Sequence, residues 1–181
     1  MRKFKAGFFI LLAVLCFPPL PSAWGQGLLG PKKTAKLRVQ YLKAVEKEVL
    51  RLTNAERRKS HLLSLEADDD LTATARAHSD DMLKRDFFSH VNPDGKSPAE
   101  RLMPSHSMPV AKVGENIWKG SRLDTSDAKL LARLMVDSWL TSPGHRANIL
   151  NADYTHLGVG ISLADKEIRA TQLFANVKSR E

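Results

Sequence analysis

The chain is 181 residues long, carries a formal net charge of +8 and contains a single cysteine, Cys16. One cysteine excludes an intrachain disulfide framework, and a basic run without interleaved aromatic residues disfavours a nucleic-acid-binding protein. The length is sufficient for one hydrophobic core, so we predict a single domain.

The first 25 residues have the pattern of a secretory signal peptide. Basic residues precede an apolar run from Ala6 to Phe17, and small residues precede Gly25. The run is shorter than the roughly 20 residues of a membrane-spanning helix, so we predict a cleaved signal over 1–25 and an exported protein, extracellular or periplasmic. Three of the 28 basic residues leave with this signal, so 25 remain against 20 acidic residues. The mature protein would have no cysteine and no transmembrane segment.

A basic linker is predicted over 26–37, where glycine, proline and lysine dominate, and the domain itself over 38–178. The first helix follows the linker. Its apolar residues recur at spacings of three, four and three and form one stripe that should pack on the core: Leu42, Val45, Val49 and Leu52.

A second helix is predicted after the acidic run 68–70, any residue of which can cap it. Leu71, Ala75 and Met82 share one face of this helix with His78. A histidine among apolar residues is more often a hydrogen-bonded core residue than a ligand, so we interpret His78 as structural.

The segment 87–95 breaks this periodicity and ends in the turn sequence Pro93-Asp94-Gly95. His90 therefore lies where a helix gives way to a loop. Loop residues on a rigid scaffold frequently carry function, although a solvated histidine is the alternative.

A strand is predicted over 111–118, where apolar residues alternate with other types. In a strand, Glu115 shares a face with Val113 and Ile117. A carboxylate on an apolar face needs a partner.

A third helix should begin near Thr125 or Ser126 and end before Pro143, with an apolar stripe that contains Leu130, Leu131, Leu134, Met135 and Trp139. Beyond it, Ser142 is a good N-cap and Pro143 suits the first helical position. His145 then falls in the exposed first turn, where the helix dipole favours a neutral imidazole.

Two more strands are predicted near the end of the chain, joined closely enough by 164–167 for a hairpin. Gly158 and Gly160 occupy one face of the first of these strands, which indicates that a bulky element packs there. Helices followed by an antiparallel hairpin predict an α+β sandwich.

His90, Glu115 and His145 are the ingredients of a metal site with an open coordination position, or of a general acid/base pair. Alternatively, these three side chains only hydrogen-bond to one another. Asn116 and Arg146 adjoin them and could orient them. The spacing of the three side chains alone does not show that they converge.

Several motifs in order resemble the CAP superfamily, also called the SCP domain, in its secreted bacterial branch. They are Ala77-His78-Ser79-Asp80-Asp81-Met82, Phe88-Ser89-His90, Gly114-Glu115-Asn116-Ile117, residues 139–150, and Leu157-Gly158-Val159-Gly160. The resemblance implies a three-layer α-β-α sandwich with a mainly antiparallel central sheet and a central cleft. It also implies, in many relatives, two histidines and two acidic residues that hold a divalent metal such as zinc.

The resemblance assigns three of these positions to His90, Glu115 and His145, which would be the metal ligands if zinc is held. Spacing and family pattern together lead us to expect that the three side chains converge on one cleft. The remaining carboxylate falls on Ser142. Loss of that negative charge should weaken metal binding and removes a two-carboxylate mechanism.

We therefore interpret the protein as a non-enzymatic binding module with a ligand-binding cleft formed by His90, Glu115, Asn116, Ser142 and His145. Its ligand would be a small molecule such as a lipid, sterol, peptide or glycan. The alternative is a hydrolase of extracellular peptide or cell-wall material. That enzyme would use metal-activated water, or Ser89 or Ser142 as a nucleophile.

Overall fold

The computed structural model describes residues 31–104, 106–123 and 127–178. The predicted signal peptide, with Cys16, lies outside these ranges. The helices are α1 (Pro31–Lys59), α2 (Asp69–Lys84), α3 (Pro98–Leu102), α4 (Ala128–Thr141) and α5 (Pro143–Ile149). The strands are β1 (Glu66–Ala67), β2 (Val110–Ser121), β3 (His156–Ala164) and β4 (Glu167–Val177). Across the described residues, no helix is both long and apolar enough to cross a membrane.

Helix α1 begins at Pro31, inside the segment that we expected to be a linker. Proline is favoured at the first helical position, and the lysine, alanine and leucine residues that follow are good helix formers. Its predicted core stripe is confirmed, since Val45, Val49 and Leu52 are buried. Residues 33–40 are exposed, so the basic part of α1 extends as a helix beyond the core.

The strands form one four-stranded sheet in the order β1-β3-β4-β2. Only the short β1 pairs in parallel, with β3, while the other described pairs are antiparallel. The predicted hairpin of β3 and β4 turns at Asp165 and Lys166, both of which have positive φ. Strand β1 has two residues, too few for any periodic pattern to predict it.

Helices cover both faces of the sheet, which confirms the three-layer sandwich. Helix α2 packs on one face of β3 and β4, and α1 with α4 forms the layer on the other. A Cβ at Gly158 or Gly160 would clash with the α2 backbone at Leu71 and Ala75. These glycines therefore allow the close approach of a bulky element that the sequence predicted.

Helix α4 differs from the prediction at its start and in its stripe. Its N-cap is Asp127, whose carboxylate accepts from the amides of Lys129 and Leu130, and the expected caps at 125 and 126 lie outside the described residues. Leu130 and Leu134 are 61% and 45% exposed, so they do not belong to the core. The buried stripe is shifted around the helix from the predicted one and consists of Leu131, Ala132, Met135, Val136 and Trp139.

Candidate functional site

The candidate site lies along β2, an edge strand of the sheet. Glu115 pairs with Leu173 of β4 and shares its face, which α2 covers. Asn116, the next residue, points to the opposite face, because side chains alternate along a strand. Neighbouring residues of one strand thus serve two different layers.

The Glu115 carboxylate is buried, with 2% of its side chain exposed, and both of its oxygens are engaged. The ring Nδ1 of His90 donates to Oε1 at 2.8 Å, and Nη2 of Arg101 donates to Oε2 at 2.5 Å. The partner that a carboxylate on an apolar face requires is therefore an arginine together with a histidine. His90 itself is half exposed, so it connects the buried pair to solvent.

Arg101 lies in the short helix α3, whose start is fixed by a capping box between Ser97 and Glu100. Besides Glu115, its guanidinium contacts the backbone of the loop that carries His90. Nη1 donates to the carbonyl of His90 at 2.7 Å and to that of Lys96 at 2.9 Å. One arginine thus fixes both ends of that loop segment and the carboxylate beneath it.

His78 is a buried structural residue, as its position on the apolar face of α2 predicted. Its Nε2 donates to the carbonyl of Ser89 at 3.1 Å, and its ring lies 5.8 Å from that of Phe87. Burial lowers the pKa of His78, which favours the neutral ring. His78 therefore supports the loop immediately before His90.

Ser142 occupies the predicted N-cap position of α5, with Pro143 in the first turn, but its side chain makes no capping hydrogen bond. Its hydroxyl is therefore not what holds His145 in place. The pKa of His145 is lowered, first by burial and then by the charge of His90. A neutral ring is what we predicted, but its cause is burial and a neighbouring imidazole.

Asn116 was expected to line the cleft, and instead it is fully buried behind it. Its Nδ2 donates to the carbonyl of His145 and to Gln172, each at 3.0 Å, while its Oδ1 accepts from Asn148 at 2.8 Å. Gln172 in turn donates to the hydroxyl of Thr53 at 2.8 Å, which extends this hydrogen-bond network to α1. Asn116 thus holds α5 against β2 and presents no exposed surface in this structure.

The remaining predicted residues divide between core and surface. Trp139 and Phe174 are buried, and the indole of Trp139 donates to the carbonyl of Ile117 at 3.0 Å. Arg146 and Ser89 are exposed. Ser89 accepts a hydrogen bond at its hydroxyl from the amide of Val91, as in a turn. No contact of these residues favours a nucleophilic serine.

A divalent metal does not fit the donor set at His90, Glu115 and His145. A guanidinium already neutralises the one carboxylate, and Ser142 replaces the other. A metal site needs three or more histidine, cysteine or acidic side chains whose ligand atoms lie close together. Among the described residues, only Asp68, Asp70 and His106 form such a group, with ligand atoms within 4.8 Å of one another, and they lie elsewhere. There, Nε2 of His106 lies 3.2 Å from Oδ2 of Asp68.

Sequence reasoning missed both Arg101 and the Asp68, Asp70 and His106 group. Arg101 follows a recognisable Ser-Pro-x-Glu capping box, and that signal could have predicted α3 but not the partner of its arginine. Asp68 was expected only as a cap, which it is, since its Oδ1 accepts from the Leu71 amide at 2.7 Å. Nothing in the sequence pattern connects it to His106.

Comparisons with known proteins agree with this architecture. The sequence model of the Cysteine-rich secretory protein family, CAP, matches residues 50–174. Protein YkwD of Bacillus subtilis (strain 168) is 42% identical over 117 residues, which are 65% of this chain and 42% of that protein. The membrane protein YlbC of the same organism is 41% identical over 116 residues, 64% of this chain and 31% of that protein. The chain thus spans less than half the length of these two relatives.

Solved structures show the same fold. An extracellular protein from Bacillus anthracis str. Ames that contains an SCP domain is 31% identical, with a TM-score of 0.62 over 82% of this chain and 44% of that chain. NaASP2, in a crystal structure with Zn²⁺, is 14% identical, with a TM-score of 0.56 over 74% of this chain and 80% of that chain. The family match, the bacterial SCP structure and the three-layer fold give one conclusion: the chain belongs to the CAP family, as a bacterial member with an SCP domain.

Proposed function

We propose that the protein is an exported, non-enzymatic binding module whose cleft at His90, Glu115, Ser142 and His145 takes a small ligand. The ligand would be a lipid, sterol, peptide or glycan, and Asn116 would hold α5 behind it. The family match and the extracellular relative support export.

The observation that carries this proposal is the engagement of Glu115. Both of its oxygens accept hydrogen bonds, from His90 and from Arg101. A general base must be free to take a proton from water or substrate, and a carboxylate that already pairs with a guanidinium is a weaker ligand for a metal ion. The hydrolase alternative therefore has less support than binding.

The loop that carries His90 also supports an amphiphilic ligand. Phe88 and Val91 are 40% and 48% exposed on this loop, and Nζ of Lys119 lies 5.1 Å from the Phe88 ring. Ligand sites combine apolar surface with a few polar groups that fix orientation. Exposed apolar residues on either side of the His90 imidazole provide that combination.

The test is mass spectrometry of the small molecules and lipids that co-purify with the protein. We compare the wild type with His90→Gln and His145→Gln, and use His61→Gln as the matched control because His61 is exposed just after α1. A species enriched on the wild type and on the control, and reduced about tenfold or more by both cleft variants, is expected, since tenfold corresponds to one lost interaction of about 1.4 kcal/mol. Identical profiles for all four proteins would contradict binding in this cleft.

A further inference from the structure

We propose that Arg101 is the built-in cation of this cleft: its guanidinium occupies Glu115 in place of a divalent metal and makes the cleft independent of metal. This inference goes beyond the binding function, because it concerns what holds the cleft together rather than what enters it.

The contacts of Arg101 resemble those of a structural cation. Its side chain is 10% exposed, and it joins the buried Glu115 carboxylate to two carbonyls of the neighbouring loop, those of His90 and Lys96. A metal ion at a loop would bind a carboxylate and carbonyl oxygens in the same way. The arginine differs in that it is covalently part of the chain and permanently charged.

The charge balance of the cleft excludes a second cation beside this arginine. Glu115 and Arg101 cancel, and Ser142 brings no charge. A zinc ion that reached Oε2 of Glu115 would have to displace a guanidinium at 2.5 Å. Zinc would also lie beside a buried positive group, which low-dielectric surroundings make unfavourable.

Removal of Arg101 would free Oε2 of Glu115 to bind another cation. Nδ1 of His90 lies 2.8 Å from Oε1 of Glu115. The helix that carries His145 is held against the same stretch of β2, because Asn148 donates to the carbonyl of Glu115 at 3.1 Å and Asn116 donates to the carbonyl of His145 at 3.0 Å. Without the guanidinium, a carboxylate and two imidazoles would remain without a cation. These are the donor types of a zinc site with water in the open position, although their ligand atoms do not all lie within 4.8 Å of one another and would have to close on the ion.

Zinc titration with two readouts tests this inference. Isothermal titration calorimetry gives the affinity, and NMR spectra of the histidine rings show where zinc binds. The proteins are the wild type, Arg101→Met, Arg101→Lys, and Arg101→Met combined with Glu115→Gln. All are purified after expression of the full chain, and the wild type is first treated with EDTA.

We expect Arg101→Met to gain zinc affinity at least tenfold over the wild type, with shifts of the His90 and His145 ring signals. Addition of Glu115→Gln should abolish the gain, and Arg101→Lys should show none because it keeps the cation. Any zinc bound at His106 is common to all four proteins and cancels in the comparison.

Two outcomes would overturn the inference. One is an Arg101→Met protein that folds but binds zinc no better than the wild type. The other needs no variant: zinc shifts the His90 and His145 ring signals of the wild type. This second measurement decides the matter even if Arg101→Met does not fold. None of these measurements requires the cleft's own ligand, so this inference and the proposed binding function can fail separately.

Discussion

In the described part of the chain, two sites pair an imidazole with a carboxylate at 3.2 Å or less, and the positive charge that faces the carboxylate differs between them. In the cleft, Glu115 is paired with Arg101 at 2.5 Å as well as with His90. At the start of α2, Asp68 is paired with His106 at 3.2 Å, and the side chain of His106 is 2% exposed. The first pair has a permanent charge, whereas the second depends on a titratable ring.

Histidine and carboxylate occur at both sites, but only the site at Asp68 relies on the charge of a histidine ring. The pKa of His106 is shifted by opposing causes. Burial disfavours the charged ring, but the hydrogen bonds to the Met108 carbonyl and to Asp68 outweigh it, so the pKa is raised. The attachment of the 106–108 segment to α2 therefore responds to pH, while the cleft pair of Arg101 and Glu115 has a partner that does not titrate.

The largest effect should come from Arg101→Met. It leaves the Glu115 charge buried without its partner, which typically lowers the free energy of unfolding by about 3–5 kcal/mol. Urea denaturation measures this loss, and adding Glu115→Gln should recover most of it because no unpaired charge then remains. Arg85→Met is the matched control, since Arg85 makes exposed ion pairs with Asp81 and Asp94. Equal losses for Arg101→Met and Arg85→Met would show that burial of the cleft pair is unimportant.

A smaller, pH-dependent effect is expected from His106→Gln. A group whose pKa is raised by folding stabilises the native state below its unfolded pKa of about 6.5, and this stabilisation is lost as pH rises through the folded pKa. The variant should thus lose about 1.5–3 kcal/mol at pH 5.5, the range for hydrogen bonds to charged groups, and less at pH 8. Urea denaturation at both values checks this. A loss that does not depend on pH would contradict a charged His106.

His78→Gln should show the opposite trend, with a still smaller amplitude. Burial lowers the pKa of His78, so the native state resists its protonation and the wild type loses stability as pH falls below about 6.5. The variant lacks this penalty, so its deficit relative to the wild type should shrink between pH 8 and pH 5.5. Parallel pH profiles for His78→Gln and His106→Gln would contradict the two different environments.

The sequence predicted those features that a local pattern encodes. The core stripe of α1 has helical spacing, at Val45, Val49 and Leu52, and these residues are buried as predicted. Gly158 and Gly160 are two residues apart, so they share one face of a strand, and α2 packs on that face. The contact between His90 and Glu115 was also predicted, from their spacing together with the family motifs, because spacing alone did not show convergence.

What the sequence could not predict depends on contacts between distant segments. Arg101 lies in a five-residue helix with no apolar period, and its partner is on another element. The exposure of Leu130 and Leu134 depends on which face α4 turns toward α1, and the sequence pattern of one helix does not determine that orientation. We expected Asn116 to line the cleft beside Glu115, but side chains alternate along a strand, so Asn116 points to the opposite face. Its hydrogen-bond partners there lie on α5 and β4, which the local sequence does not indicate.

The most direct test of the account is a crystal structure of the wild-type protein soaked in zinc, with anomalous scattering measured at the zinc absorption edge. The account predicts that no zinc peak lies among His90, Glu115 and His145, and that Arg101 stays on Glu115. Any zinc that the described part of the chain takes up should instead lie at Asp68, Asp70 and His106. A zinc ion on His90 and Glu115 with Arg101 displaced would contradict the account.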